Sequence, residues 1–371
     1  MLWRGCVLVA APALLALGLA SGPAEGVSLA GPEGHPVLLV QAGSSRAVFV
    51  LWSTTCNHHA CFRLERTNNG GRSFSPIDVT PVAPWRGSAT GNLVELVFAN
   101  PRDGYVVVSG RGLTTALYAT FDGGRSWHRE VIRRDQRVEW MTSTATAFYA
   151  VSGTCAVPDT SCGGWALDRT PASASHWTQR PLPFSTAHDL NPPDLAAHGA
   201  NVWITGQQQS APYHALLATS HDDGRTFSVA QQPSLSSVNG CSLDATSTSV
   251  IWAECDQGNM AGDIPLSRDG GTHWISASTN LTGKFAWGTF DPASPNTAYV
   301  VNGWHPGLLF RFTVENQRTQ TIGRLPHAEI AALVFTSESL GLALSQQIGP
   351  SGAQLLYRTS DGGVAWRRVA G

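Results

Sequence analysis

The chain has 371 residues, 42% of them hydrophobic and 13% charged, and its formal net charge is −2. A chain of this length can bury a large apolar core. The near-neutral charge argues against nucleic acid or an anionic membrane surface as a partner, because both attract strongly basic proteins.

The first segment has the pattern of an export signal. Arg4 supplies a positive charge, an apolar run extends from Val7 to Leu19, and small residues follow. Residues 1–20 are therefore expected to be a signal peptide, with cleavage as late as residue 24, and residues 27–371 to form one domain. The apolar run is short for a membrane span, and no other stretch approaches a spanning length, so we expect no transmembrane segment after its removal.

Five copies of an eight-residue motif recur along the chain. Its frame is Ser or Thr, any residue, Asp or Asn, any residue, Gly, any two residues and an aromatic residue, and we name each copy a box. The boxes are residues 67–74, 120–127, 220–227, 267–274 and 359–366. Degenerate copies stand midway in the two widest gaps, at residues 170–177 and 313–320. Seven units of about 50 residues predict a repeat fold, the seven-bladed β-propeller.

Each residue type in the box has a structural role. Asp, Asn, Ser and Thr side chains accept hydrogen bonds from nearby backbone N–H groups and shape a tight turn. Gly at the fifth position supplies a positive φ, and the closing aromatic ring packs on neighbouring strands. We expect structural rather than catalytic roles for Asn69, Asp122, Asp222, Asp269, Asp361, Trp127, Trp274 and Trp366.

The segments between boxes are typical of β-strands, and no helical periodicity of useful length interrupts them. The predicted strands of blade one are 37–41, 47–52, 62–66 and 74–79. Those of blade two are 93–99, 104–109, 116–120 and 127–132, and those of blade seven are 330–335, 341–345, 355–358 and 366–369. The predicted fold class is all-β: a seven-bladed propeller of four-stranded antiparallel blades, with a box between strands 3 and 4.

Strand direction decides which turns share a face. Strands within a blade alternate in direction, so the strand 1–2 turns lie with the boxes on one face, which we name the box face. The strand 2–3 loops and the links between blades lie on the opposite face, the link face. Because loops carry function more often than the scaffold does, we expect partners to bind at the link face.

Six cysteines remain after removal of the signal peptide. They form three sequence-local pairs, Cys56 with Cys61, Cys155 with Cys162, and Cys241 with Cys255. An even number in an exported chain favours disulfides, and locality favours these pairs, the first two of which close strand 2–3 loops. A zinc site would need clustered pairs with shorter spacings, so neither a metal nor another cofactor is expected.

The link face holds the candidate binding residues. Exposed Trp beside Arg or His suits sugars or peptides, because the ring stacks and the charge orients. The candidates are His58, His59, Trp85, Arg86, Arg133, Arg134, His188, Asp189, Trp304 and His305.

Structural interpretations compete with these assignments. Trp85 also suits a cap on an interface between blades, and the adjacent histidines have no third metal ligand nearby. Arg133 and Arg134 lie close to Arg137, Glu130 and Asp135, for which a solvated charged link is the default. Three acidic residues in or beside predicted inner strands are expected along the central channel, Glu95, Glu139 and Glu329.

The box is similar to the Asp-box, or BNR repeat, of sialidases, sortilins and some glycoside hydrolases. The segments 94–108, 117–127 and 329–366 resemble the photosystem II stability/assembly factor family more closely, and the resemblance covers most of the mature chain. It implies a propeller that acts as a non-enzymatic assembly factor. The chain departs from that family in its disulfides and its two degenerate boxes.

A sialidase function can be tested against residues. The sialidase resemblance calls for an Arg-Ile-Pro motif ahead of the first box and for a Tyr–Glu pair, but the chain has no such motif, and Tyr213 alone of its tyrosines is predicted in a 2–3 loop. A glycosidase also needs paired acids. The acids predicted on the link face are Asp159, Asp189 and Asp256, and the sequence does not pair them.

The sequence therefore predicts an exported, monomeric, non-enzymatic propeller, found in the cell envelope or secreted. Its partner would be a protein or a cell-envelope glycan, bound in the manner of an assembly factor or scaffold. The alternative is a glycoside hydrolase, sialidase-like or xyloglucanase-like, with a non-standard site. A facing pair of carboxylates near arginines on the link face would favour this alternative.

Overall fold

The computed structural model of the protein describes residues 35–41, 46–56, 59–77, 93–109, 114–155, 162–184, 194–207, 215–232, 235, 241–258, 261–276, 289–301, 307–315, 318–326, 329–346 and 354–370. The expected signal peptide lies outside these residues and stays a prediction. None of the described segments forms a helix that is long and apolar enough to cross a membrane.

The described strands form seven antiparallel sheets. Blade one contains β1 (His35–Gln41), β2 (Val48–Cys56), β3 (His59–Thr67) and β4 (Ser75–Ile77). Blade two contains β5 (Leu93–Phe98), β6 (Gly104–Ser109), β7 (Thr115–Thr120) and β8 (His128–Glu130). Blade three contains β9 (Gln136–Ser143), β10 (Ala147–Cys155), β11 (Cys162–Pro171) and β12 (Thr178–Pro181). Blade four contains β13 (Leu195–His198), β14 (Asn201–Gln207), β15 (Ala215–Ser220) and β16 (Ser228–Gln232).

The remaining blades follow the same order. Blade five contains β17 (Cys241–Ala245), β18 (Ile251–Gly258), β19 (Ala261–Asp263), β20 (Pro265–Ser267) and β21 (Trp274–Ser276). Blade six contains β22 (Thr289–Ser294), β23 (Thr297–Val301), β24 (Leu308–Thr313) and β25 (Arg318–Arg324). Blade seven contains β26 (Glu329–Phe335), β27 (Gly341–Gln346), β28 (Gln354–Thr359) and β29 (Arg367–Ala370). The predicted seven-bladed propeller is confirmed, and only blade five departs, since two short strands, β19 and β20, stand in the place of a single third strand.

Each blade is built from one continuous stretch of chain, and the described strands show no exchange between blades one and seven. The first strands of neighbouring blades contact one another, including β26 with β1, so these strands form the inner wall of the ring. The second strands are apolar on both faces because neighbouring blades cover both; every residue of β10 except Thr154 is buried, for example. This double burial explains their nearly continuous apolar sequences.

The hydrophobic core is divided among the junctions between blades. The described residues form seven clusters of buried side chains, one at each junction. The last joins Val48, Val50 and Trp52 of blade one to Leu344 and Leu356 of blade seven. The ring is therefore closed by side-chain packing, which resembles the packing at the other six junctions. We name this seventh junction the seam.

The boxes form the turns between strands 3 and 4. In box two, Thr120 Oγ1 accepts the N–H of Gly124 at 2.8 Å, and Asp122 accepts the N–H of Ser126 at 2.9 Å. Trp127 is buried in the cluster shared with blade one, and its indole N–H donates to the Gly124 carbonyl at 2.9 Å. The closing aromatic residue of a box thus packs towards the preceding blade.

The acids of the boxes are held as ionised acceptors. Hydrogen bonds, first from the backbone N–H of the seventh box residue, lower the pKa of Asp222, Asp269 and Asp361, that of Asp269 to about 2. The backbone N–H of the fourth box residue donates to the strand 1–2 turn of the same blade, as from Gly123 to Arg102 O at 2.7 Å. Boxes and 1–2 turns therefore share one face, as alternating strand direction predicts.

Candidate binding site on the link face

The link between blades two and three, residues 131–135, is held in a defined shape by one side chain. Gln136, at the start of β9, is buried, and its Oε1 accepts the backbone N–H groups of Ile132 and Arg133, both at 2.7 Å. Asp135 adopts a left-handed φ of 50°, and its carbonyl accepts the N–H of Cys155 at 2.9 Å. The link is therefore tied both to β9 and to the end of β10.

The Cys155–Cys162 disulfide lies beside this link. The two cysteines face each other across β10 and β11, and their sulfurs are bonded. Cys241 and Cys255 form a second disulfide between β17 and β18. Two of the three expected pairs are thus formed, and the side chains of Cys56 and Cys61 lie outside the described residues. Disulfides are typical of chains that fold in an oxidising compartment.

Arg133 turns from the link into the protein. Its guanidinium pairs with Asp168 Oδ2 at 2.9 Å and donates to the Gly164 carbonyl at 2.8 Å. Asp168 is fully buried and also accepts a hydrogen bond from Ser152 Oγ at 2.6 Å. Burial raises the pKa of Asp168, which the Ser152 hydrogen bond and the Arg133 charge oppose. Arg133 therefore anchors the link, and its charge is satisfied inside blade three.

Arg134 points the other way. Its side chain is 95% exposed, and its nearest charged partner is Asp135, at 3.6 Å. Val131 is 61% exposed, although it is a large apolar residue. The link thus presents one exposed aliphatic side chain and one exposed guanidinium, on a backbone that is fixed from both ends.

A cavity of about 270 Å³ opens beside the link, on the link face. It is lined by the start of β7, the end of β8 and the link itself, residues 114–116, 129–131 and 133–136. Its lining carries three arginines, Arg129, Arg133 and Arg134, and two acids, Glu130 and Asp135. Burial raises the pKa of Glu130, and a hydrogen bond from Ser175 opposes this shift. The surface can contact a mixed apolar and anionic ligand.

Only some of the binding residues predicted from the sequence are described by the structure and lie on this surface. Arg133 and Arg134 lie on it, and the side chain of His59 is not described. His58, Trp85, Arg86, His188, Asp189, Trp304 and His305 lie outside the described residues, so their grouping stays a prediction. The sequence missed Gln136 and Asp168, which fix the link. The ion pair of Arg133 with Asp168 could not be predicted from the sequence, because the two residues are 35 positions apart.

Acids of the inner strands bind backbone groups of the next blade. Asp291 Oδ2 accepts the N–H of Phe335 at 2.7 Å, Glu95 accepts that of Met141, and Asp194 accepts that of Leu243. The pKa of Glu95 is raised to about 8 and that of Asp194 to about 7, and burial is the largest cause in both. Glu139 is paired with Arg137 on β9. These carboxyl groups therefore connect neighbouring blades or strand residues along the inner wall.

Comparison with known proteins bears on the fold. No protein-family model matches the chain, and no curated protein matches it. The β-propeller domain of the Trilobed protease from Pyrococcus furiosus aligns with a TM-score of 0.58 and 7% identity, over 92% of this chain and 99% of that one. Puromycin hydrolase aligns with a TM-score of 0.59 and 15% identity, over 92% of this chain and 54% of that one. The chain is a β-propeller.

A third similar structure is YCF48 from Cyanidioschyzon merolae, with a TM-score of 0.45 and 15% identity, over 75% of this chain and 80% of that one. The chain spans about half the length of puromycin hydrolase. At such identities, structural likeness shows a shared fold and leaves function to be argued from the site.

Proposed function

We propose that the protein is an exported binding propeller that contacts a partner protein through the link between blades two and three. The observation that carries this proposal is the pair of exposed side chains, Val131 and Arg134, on a link fixed by Gln136 and by the Cys155 N–H. A pre-organised surface loses little conformational entropy on binding, which favours affinity.

A protein fits the surface better than a glycan. Sugar recognition uses an aromatic ring as a stacking platform, and the described lining of the cavity contains none. An exposed arginine is suited to a protein contact, because Arg is enriched at protein interfaces and among the residues that carry most of their binding energy. The resemblance to assembly factors is in keeping with this role.

Catalysis is less well supported by the same surface. The acids of the cavity lining are Glu130 and Asp135, and Asp135 is paired with Arg134. Hydrolysis of a glycoside needs two carboxyl groups that flank one bond. The inner-strand acids Glu95, Asp194 and Asp291 already accept backbone N–H groups. We therefore place the glycoside hydrolase second.

The test is affinity capture from the cell-envelope fraction with two matched variants. Val131→Ser combined with Arg134→Ser should abolish capture of the partner. Val364→Ser is the control, because Val364 is also 61% exposed but lies in box five, on the box face. Capture should survive in the control, and digestion of the envelope fraction with a protease should remove it.

Retention of capture by the double variant would contradict the proposed surface, and capture that resists protease but is lost on digestion of glycans would replace the protein partner by a glycan. The hydrolase alternative is tested with a panel of fluorogenic glycosides, a sialoside included. Turnover by the purified protein that is lost on replacement of a named acid would overturn the non-enzymatic assignment.

A further inference from the structure

The seam differs from the other junctions at its box face. At six junctions, the residue of the second strand that lies next to the following blade's box is aromatic: Phe49, Tyr105, Tyr149, Trp203, Trp252 and Tyr299. Several of these donate to the following blade, as Tyr149 does to Asp223 at 2.9 Å and Trp203 does to the Gly270 carbonyl at 2.9 Å. Blade seven has Leu342 at this position, so no side-chain donor extends from it across the seam.

Three arginines lie together at this part of the seam. Arg358, which immediately precedes box five, faces Arg367 directly across β28 and β29. Arg72 extends from box one, on the other side of the seam. Arg72 and Arg367 are exposed, whereas Arg358 is half-buried. Burial first, and then the positive charges of Arg72 and Arg367, lower the pKa of Arg358. Repulsion of this kind is relieved when an anion binds.

The described part of the chain gives these three arginines no ion-pair partner. Box one is also uncharged at its third position, where Asn69 stands and the other four intact boxes have Asp. The seam is therefore a local excess of positive charge in a molecule whose net charge is −2.

The junction of blades three and four shows what the same arrangement binds. Arg169 stands at the register of Arg358, immediately before the degenerate box of its blade, and Arg225 occupies the same box position as Arg72. There, Asp223 at the fourth position of box three pairs with Arg169 at 3.2 Å. The corresponding position of box one is Gly70. The seam thus has the cations of the other junction and lacks the carboxylate.

We propose that the seam is a second binding site, which takes a carboxylate from an acidic segment of a partner protein. The ligand group would stand where a side chain at position 70 would place it, against Arg358 and with Arg72 and Arg367 on either side. Guanidinium groups bind carboxylates through two parallel hydrogen bonds, and partial burial strengthens the pair. This site lies on the box face, so it is independent of the surface around Val131.

The binding test uses a fluorescein-labelled oligo-aspartate peptide and fluorescence anisotropy on the full mature chain. Arg72→Gln combined with Arg358→Gln should weaken binding by about tenfold or more, because two charge-assisted contacts are lost. Arg268→Gln is the control, since Arg268 is an exposed arginine of box four on the same face, and it should leave binding unchanged. Equal displacement of the peptide by inorganic phosphate would show a general anion site and overturn the carboxylate assignment.

A second variant fills the site from within. Gly70→Asp is sterically allowed, because a Cβ at Gly70 would lie 3.5 Å from Leu340 Cδ1, and the φ of Gly70, 66°, is close to the 61° of Asp223. This variant should lose peptide binding while its thermal unfolding midpoint is held or raised. Peptide binding as tight as that of the parent, in a variant with unchanged circular dichroism, would overturn the proposal.

Discussion

Asp223 destabilises the fold through its backbone conformation and stabilises it through the contacts of its side chain. It has a φ of 61°, in a region that favours glycine, and it stands where all of the other four intact boxes have Gly. Its carboxylate pairs with Arg169 at 3.2 Å and accepts the hydroxyl of Tyr149 at 2.9 Å. Contacts with blade three therefore offset the backbone cost of about 1 kcal/mol.

Substitutions at Asp223 should separate these two effects. Asp223→Ala loses both contacts and keeps the strained backbone, so we expect it to reduce the free energy of unfolding by about 1–3 kcal/mol. Asp223→Gly loses the same contacts but relieves the backbone, so it should be less destabilising. Urea unfolding measures both, and an equal loss in the two variants would contradict the assignment of strain.

Glu95 gives the stability of the protein a pH dependence. Burial, and then the negative charge of Asp194, raises its pKa from 4.5 to about 8. Between these values the folded protein holds a proton that the unfolded chain releases. The free energy of unfolding therefore falls as the pH rises through this window, by at most about 1.4 kcal/mol per pH unit for one proton.

Glu95→Gln should flatten that dependence. The amide oxygen can still accept the Met141 N–H, and it does not ionise, so the variant should be more stable than the parent at the upper end of the window. Urea unfolding across the window gives the slope. Glu315→Gln is the control, because Glu315 is exposed and should leave the slope as it is. A Glu95→Gln variant with the parental slope would refute the proton linkage.

At the scale of the element, the glycine at the fifth position of a box has a second role besides forming the turn. A Cβ at Gly124 would lie 2.5 Å from Leu64 Cδ2 of the preceding blade, and its φ is +92°. The same arrangement recurs at Gly224 with Leu167 and at Gly271 with Leu217. The box glycine therefore forms the turn and also leaves room for a leucine of the neighbouring blade.

Gly124→Ala should therefore reduce the free energy of unfolding by more than the strain of a positive φ alone would. We expect a loss of about 2–4 kcal/mol in the free energy of unfolding, from strain and overpacking together. Gly164→Ala is the control, since its φ is +62° and a Cβ there would meet nothing within 4 Å; about 1 kcal/mol is expected for it. Adding Leu64→Ala to Gly124→Ala should cost less than the sum of the two changes if they clash.

The box could be predicted from the sequence because its hydrogen bonds join residues that are close along the chain. Its contact with the preceding blade could not, since Leu64 and Gly124 belong to different repeats. In blade six the sequence placed the degenerate copy at Thr313, but the pairing of Tyr299 with Arg311 matches that of Tyr149 with Arg169 and makes Phe312 the equivalent residue. Without the Asp and Gly of the box, no local signal fixed that register.

At the scale of the whole molecule, side-chain packing closes the ring. Leu344 at the seam and Ile204 between blades three and four are both fully buried, and each belongs to a cluster formed by two blades. The sequence left the mode of closure open, because apolar strands alone do not say whether the first and last blades exchange a strand.

Leu344→Ala and Ile204→Ala should therefore behave alike. Each is expected to reduce the free energy of unfolding by about 2–5 kcal/mol while leaving a single cooperative transition, since no blade can lose one neighbour without exposing a core cluster. Differential scanning calorimetry measures this. A separate early transition in the Leu344→Ala protein would show that the seam opens before the rest of the ring.

The contacts between box glycines and leucines also determine when each box can pack on its neighbouring blade during synthesis. In four of these contacts the leucine comes earlier in the chain than the glycine it packs against: Leu64 with Gly124, Leu167 with Gly224, Leu217 with Gly271 and Leu309 with Gly363. A chain that emerges from its amino end can therefore dock each new box on a blade that is already complete. Box one is the exception, because Gly71 receives Leu342 of blade seven. The contact of box one with its neighbouring blade therefore has to wait until Leu342 has been made, although box one is the first box in the chain.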